Sequence, residues 1–346
     1  MQTVNIYNEF LDEWSAEWFQ FIKDHQNNDE EWNYEKLSKN PNITLKTVLD
    51  NPQYEWDYSE LSRNQNITLK TMLNNPDLPW RKIMFNLNPN LTWKTVQENE
   101  HLLYKPENIK HFYCLLSKHP NITWKIVQEN PDKPWDYRHL STNPNITWEI
   151  IISNPGKPWD YNGLTFNKNI TWEIIKNNPN KPWNMFYLWH NPNITLDMVE
   201  FDDRIAFWKY SSFSSNKNIT WEQICNNPDL RMYINHYSLC QNPNITWEIV
   251  QNNPDKYWDY DGLSMNPNIT WDIIKQYPKK YPNRHWNYKN LSSNEMNNAR
   301  EKYIRAKFQE WFKRSELKQQ LMASVWHPRN FEKFKYLDPE TFGEEF

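Results

Sequence analysis

Glycine is almost missing from this chain: 4 residues in 346, against 23 prolines. A phosphate-cradling loop of the G-x-G-x-x-G or Walker type has next to nothing to be built from. The turns must be made by asparagine and proline instead. Cysteine is scarce too. Cys114, Cys225 and Cys240 stand far apart without a C-x-x-C pair, so their spacing signals neither a disulfide framework nor a zinc site. No run approaches the roughly 18 apolar residues of a membrane-spanning helix. Met1 to Phe19 carries acids and no apolar core of signal-peptide type. The net charge of −4 gives no global pull toward nucleic acid or an acidic membrane. There is no H-E-x-x-H, no G-x-S-x-G and no kinase motif set, and the nine histidines are scattered. The chemistry of an enzyme is not written here, and no cofactor is called for.

What the chain does have is aromatic mass and a period. Hydrophobic residues are only 38%, yet aromatics are 16% and tryptophan alone numbers 21. Asn-Pro-Asn-Ile-Thr, or a close variant, occurs ten times, with threonines at 44, 68, 92, 123, 147, 171, 195, 220, 246 and 270. Most steps are 24 residues; one is 31, one 25 and one 26. A fixed period of this length is the mark of a solenoid, in which each unit buries its apolar side against its neighbours. The expected fold is all-α: a solenoid of about eleven units of two short helices.

The unit from Pro144 to Asn167 shows how. Thr147 can cap a helix through its hydroxyl, and Glu149 in the first turn suits the helix dipole. This helix, called B, is expected over the seven residues after the threonine and must stop at Asn154-Pro155, because proline cannot continue it. Pro158 is expected to open the second helix, A, which closes at Asn167 and has room for one or two turns, part of them 3₁₀. Four apolar columns recur. They are the tryptophan after the threonine (Trp124, Trp148, Trp172), the tryptophan of helix A (Trp135, Trp159, Trp183), the leucine five residues later (Leu140, Leu164, Leu188) and the residue four after the threonine (Val127, Ile151, Ile175). Both tryptophan columns are expected to be core. The asparagine before each Ile or Leu (Asn42, Asn66, Asn145 and their equivalents) is expected to bond main-chain groups in its own or the next turn, forming a ladder.

The ends break the pattern. Residues 1–30 lack the repeat; Phe10, Trp14, Trp18 and Phe21 recur at helical spacing and predict an amphipathic helix capping the open end of the stack. Residues 31–294 form the repeat array. Residues 295–346 begin as a charged helix with Tyr303, Phe308, Trp311 and Phe312 on its apolar side and continue as an aromatic, acidic tail, a second cap. Extra residues fall near 101–110, and the Pro-Trp signature is lost near 202–215 and 230–240. Insertions in a solenoid map to one face, often the binding face. Interfaces favour Arg, Tyr and Met. The candidate partner-binding residues are therefore Tyr104, Asp202, Asp203, Arg204, Arg231, Met232 and Tyr233, with Trp326, His327 and Arg329 in the tail. His111 and His236 occupy helix A columns and are expected to substitute for core aromatics.

The pattern N-P-x-x-P followed by a leucine, as in Asn130-Pro131-Asp132-Lys133-Pro134 with Leu140-Ser141 and Asn143, resembles the leucine-rich variant repeat, a right-handed superhelix of alternating α and 3₁₀ helices. The arginine usual in that family is missing, and so is its iron–sulfur cysteine cluster. A closer resemblance is to the W-D-Y…L-S-x-N-P-N-I-T repeat proteins of giant DNA viruses of amoebae, the mimivirus-like group. It is carried by Pro134-Trp135-Asp136-Tyr137 with Leu140 to Thr147, repeated, and by Trp326 to Phe331 through Lys335-Tyr336-Leu337-Asp338. It covers residues 30–346 and implies repeats without an assigned activity. The Asn-Ile-Thr sequons would risk a glycan in every unit of a secreted chain. Host cytoplasm or virion is expected, not secretion.

The function these observations imply is a non-enzymatic protein-binding scaffold or adaptor acting on a viral or host protein. A structural virion component is the alternative. Single-stranded RNA binding is a third reading, resting on Lys133, Lys157, Lys181 and Lys256 at the turns and on the aromatics; nucleic acid is disfavoured because those aromatics are needed as core. No membrane partner is implied, and the sequence sets no oligomeric state.

Overall fold

The recurrent threonines start helices, as their position before an apolar run requires. In the computed structural model, which describes residues 2–25, 32–199, 213–228, 234–277 and 285–314, Thr44, Thr68, Thr92, Thr123, Thr171, Thr220, Thr246 and Thr270 each accept a bond from the backbone N–H three residues on. Thr147 makes no such bond; a bond from Thr147 to the Glu149 carboxylate lowers that carboxyl's pKa instead. Helix B runs Trp124–Glu129, Trp148–Ser153 and Trp172–Asn177 in successive units, one residue shorter than expected. The stop is chemical as well as steric. The side chain of Asn130 donates to the Ile126 carbonyl at 2.8 Å, as Asn154 does to Ile150 at 2.7 Å, satisfying a last-turn acceptor before the proline.

Helix A does not start at Pro158. It runs Tyr161–Phe166, and Asp160 caps it by accepting from the amides of Asn162 and Gly163. The proline and tryptophan belong to the turn, pinned there by the Trp159 indole N–H, which donates to the Asn154 carbonyl at 3.0 Å. Aspartate is a strong N-cap and proline has no side-chain acceptor, so the cap decides the start. Where Arg81 takes the cap place no side-chain bond forms and the element Lys82–Leu87 is 3₁₀; Met185–His190 is 3₁₀ as well. The whole is helical, many short helices in a repeat-like arrangement, with no strand among the described residues.

The core gains a column that was not expected, and one expected column is only partly buried. The isoleucine inside the motif, read as turn, is among the most buried residues: Ile43, Ile67, Ile170, Ile194 and Ile219 are 0% exposed. The leucines of helix A and the Val/Ile of helix B join it. Most helix A tryptophans (Trp32, Trp56, Trp183, Trp258 and Trp286) are buried in this core, as expected; of those after the threonine Trp172 is, while the others pack against it partly buried. Trp124, Trp148 and Trp159 are only partly buried, and Trp148 meets Trp183 at 5.7 Å between ring centroids.

Units are joined by asparagine. The first residue of the motif, asparagine in every unit but one, is buried and donates across to the unit before it. Asn143 bonds the carbonyls of Ser117, His119 and Ile122 at 2.8, 3.0 and 3.2 Å, and Asn167 repeats this on Ser141, Asn143 and Ile146. Its oxygen accepts from the amide two residues on, as in Asn145 N–H to Asn143. The second asparagine forms the expected ladder at the rim: Asn145 reaches Pro120 and Ile122, Asn169 reaches Pro144 and Ile146. A third link comes from Ser117 and Ser141, whose hydroxyls accept the cap-residue amides of the next unit, Asp136 and Asp160.

All three links are made between the last unit and the first. Asn40 donates to the carbonyls of Ser292 and Asn294, both at 3.0 Å. Asn42 donates to Glu295 at 2.9 Å, and the Asn33 amide donates to the Ser292 hydroxyl at 2.9 Å. The ring packing repeats too: Trp32 meets Tyr288 edge-on at 5.1 Å, as Trp159 meets Tyr137 at 5.2 Å. The hydrogen-bond circuit is closed, which corrects the expectation of a stack with open ends to be capped. The terminal helices, Gln2–Asp24 and Asn297–Arg314, pack on each other at this seam rather than covering separate ends. Trp14 donates to Asn42 at 2.8 Å, Ser15 bonds Thr47, and Lys307 pairs with Glu13 at 2.7 Å. Here Met296, at φ 45°, takes the place of the second asparagine; it is buried and accepts from the Trp18 indole.

Closure predicts equal cost around the array. Asn143→Ala strands buried carbonyls and an amide and should destabilise by about 3 kcal/mol, since each unsatisfied buried group costs roughly 1–3 kcal/mol. Asn40→Ala should cost about the same in denaturant unfolding. A much smaller loss for Asn40→Ala would mean that the first unit has no partner behind it.

Candidate functional site

The turn before helix A carries the lysine column. Three of its four ammonium groups lie over tyrosine rings of the preceding unit, Lys157 over Tyr137 at 5.4 Å, Lys181 over Tyr161 at 5.9 Å and Lys133 over Tyr113 at 5.9 Å, while Lys256 pairs with Asp255 at 2.6 Å. The same tyrosines receive the tryptophan edges of the next unit, as Tyr161 receives Trp183 at 5.1 Å. Lysine, tyrosine and tryptophan thus form one stack at each of these three junctions, with the cation held by a ring face. That arrangement ties units together.

Of the candidate partner-binding residues, Tyr104 lies within the described structure. The insertion around it extends helix B to Trp93–Leu103, broken at Asn99, and continues through a 3₁₀ turn into Ile109–Ser117. Leu103 and Phe112 bury themselves there at 1% and 0% exposure. Tyr104 is half-buried against Phe112, 4.5 Å between centroids. Glu100 is the hub: it pairs with Lys133 at 2.8 Å and accepts from Tyr113 at 3.1 Å. Burial and the Glu100 carboxylate push the Tyr104 hydroxyl up to about 12 and Tyr113 higher still. Burial opposes ionisation of Glu100, but Lys133 and the two hydroxyls outweigh it and hold that carboxyl below its usual range. Asp202, Asp203, Arg204, Arg231, Met232, Tyr233, Trp326, His327 and Arg329 lie outside the described residues.

His111 is exposed on its helix and is not a core substitute: one residue before the buried Phe112, it falls on the opposite face. His236 is half-buried and packs edge-on against Tyr257 at 4.9 Å. The histidine the sequence reading passed over is His119. It replaces the buried asparagine of the ladder after the longest step in the repeat. Its Nε2 lies 3.0 Å from the Asn88 carbonyl, and its Nδ1 accepts from the Asn121 amide at 3.1 Å. That pairing requires the neutral ring with its proton on Nε2. Burial pushes its pKa down, against the opposing pull of the Asn88 carbonyl.

Among the described residues, one side-chain cluster has ligand character. Cys114 on helix A of one unit, and Asp136 and His139 at the start of helix A in the next, bring their donor atoms within 4.8 Å of one another. Cys114 Sγ lies 3.3 Å from His139 Nδ1, and that nitrogen 3.2 Å from the Asp136 carboxylate. Asp136 also caps its helix by accepting from the His139 amide at 2.9 Å. The group was invisible in the sequence because the residues are 22 and 25 positions from Cys114 and belong to two units. Burial pushes the Cys240 thiol up to about 12, and it accepts the Asp259 amide where other units use serine.

No family model, curated protein or solved structure matches the chain. Both resemblances therefore rest on the repeat pattern alone. No helix among the described residues is long and apolar enough to cross a membrane.

His119 sets a pH dependence. Its folded pKa is depressed, so the unfolded chain binds its proton first. Its contribution is full above the ordinary histidine value near 6.5 and falls as pH drops below it. Denaturant unfolding from pH 8 to 5 should show a shallower loss of stability for His119→Asn, which restores the usual rung, than for the native chain. Parallel curves would assign the acid loss to other groups.

Proposed function

We propose that the chain is a closed solenoid of about eleven units that serves as a non-enzymatic, protein-binding scaffold. The observation that carries this reading is where the polar groups go. The buried asparagines and the serines are used up between neighbouring units, while the outer side of helix B is left outside that network. Apolar residues stand exposed on that side: Leu49, Leu73 and Ile152 are 47%, 42% and 56% exposed. They share one register, five residues after the threonine, and Leu49 and Leu73 sit on adjacent units. Exposed apolar groups on a rigid array are what a protein partner buries at the centre of an interface. The candidate residues in the insertions and the tail, from Tyr104 and Asp202 to Arg329, extend the proposed contact region. In keeping with the giant-virus resemblance, the partner is a viral or host protein met in host cytoplasm or virion.

Single-stranded RNA is the weaker reading, because three of the four lysines it would use are engaged with the aromatic column. The test is affinity capture from infected cells with the native chain and with Leu49→Asp/Leu73→Asp/Ile152→Asp, both checked for unchanged melting. A partner retained stoichiometrically by the native chain and lost by the variant is expected. Retention by both places the contact elsewhere; a stoichiometric presence in purified particles supports the virion component, and salt-dependent RNA capture supports the third reading.

A further inference from the structure

The cluster at the junction beside the insertion adds a thiol and an imidazole, which no other unit has at these two positions, to the aspartate cap that Asp57, Asp160 and Asp259 also supply. Cys114 stands two residues before the leucine of helix A, where the other units place Glu35, Ser59, Arg138, Asn162 or Asp261. His139 stands one residue before the leucine of its own helix, a position that ranges from Gly163 and Gly262 to Lys36, Glu60 and Tyr187 and holds no other histidine. Its ring turns onto Cys114 and Asp136 across the junction.

The distances have the scale of a coordination shell. A tetrahedral zinc ion with bonds of about 2.0–2.3 Å to sulfur, nitrogen and oxygen holds its ligand atoms about 3.3–3.6 Å apart. Here sulfur and nitrogen are 3.3 Å apart and nitrogen and oxygen 3.2 Å. All three residues are partly exposed, so a fourth position opens to water. The carboxylate has lone pairs enough to ligate while keeping its cap bond. The neighbouring Arg138 is turned toward Asp160, 4.0 Å away.

We propose that Cys114, Asp136 and His139 form a zinc site that clips two neighbouring units together, with water as the fourth ligand. One thiolate, one carboxylate and one neutral imidazole give a mixed donor set suited to zinc over magnesium or calcium. On binding, the Sγ–H bond of Cys114 breaks, its proton leaves to buffer, and the sulfur lone pair forms the bond to zinc. No electron transfer is involved. The site goes beyond the scaffold reading and is independent of it.

The experiment uses the full chain, stripped of metal with chelator and titrated with Co²⁺ and then Zn²⁺. The native protein should bind one equivalent of Co²⁺ with the near-ultraviolet thiolate-to-cobalt charge-transfer band and the visible bands of a tetrahedral centre. Zn²⁺ should abolish those bands and raise the melting temperature. Cys114→Ser should lose the charge-transfer band, and His139→Gln should lose stoichiometric binding. Cys225→Ser and Cys240→Ser should keep both. Circular dichroism confirms folding, and His139→Gln stands in if Cys114→Ser does not fold. No band in the native chain, or a band that survives both Cys114→Ser and His139→Gln, overturns the proposal.

Discussion

A buried asparagine side chain, bonded to the backbone of the unit before it, is the constraint on which this structure depends. Each helix is too short to be stable alone. Each motif turn leaves carbonyls that a neighbouring unit covers from water. The asparagine satisfies those acceptors and spends its own oxygen on the amide two residues later, so no rung can be removed without stranding groups on both sides of a junction. The isoleucine beneath it and the leucine of helix A then meet their counterparts in fixed register. Even His119 obeys the rule, donating with one ring nitrogen and accepting with the other.

Closing the circuit changes what the array is. In an open stack the terminal units lose half their neighbours and need caps. Here the first unit has the same three kinds of bond behind it as the interior units do, and the terminal helices lie together at the junction. The seam still shows where the chain stops repeating. Asn294-Glu295-Met296 stands in for the motif, and the long helix Asn297–Arg314 replaces helix B. The Gln2–Asp24 helix fills the space beside it with Trp14 and Trp18, 1% and 0% exposed. Closure also bears on the function proposed: a ring-like circuit offers a partner repeated helix B faces without presenting a free end.

The repeat, the helical class, the threonine caps and the rim ladder were legible in the sequence, because each rests on local chemistry at a fixed spacing. The amphipathic helix of Phe10, Trp14, Trp18 and Phe21 was legible for the same reason. Three things were not. Ile146 and its equivalents hide inside a motif that reads as a turn. The first asparagine looks like an ordinary partner for proline until a neighbouring unit is stacked on it. Closure depends on a small rotation per unit, summed around the whole array, and no residue records that sum. The Cys114 cluster was lost in the same way, since its members meet only across a junction.

The central claim, that the first unit bonds the last, is tested most directly by chemical cross-linking of the native monomer. Lys36 Nζ lies 3.4 Å from the backbone carbonyl of Lys289, and Lys307 Nζ lies 2.7 Å from Glu13. A short amine-reactive linker should join Lys36 to Lys289, and a carbodiimide should join Lys307 to Glu13. Both products should be recovered by mass spectrometry from the monomer band at low protein concentration. If these links form only in dimers, or are absent while links between adjacent interior units form readily, the circuit is open and the account is wrong.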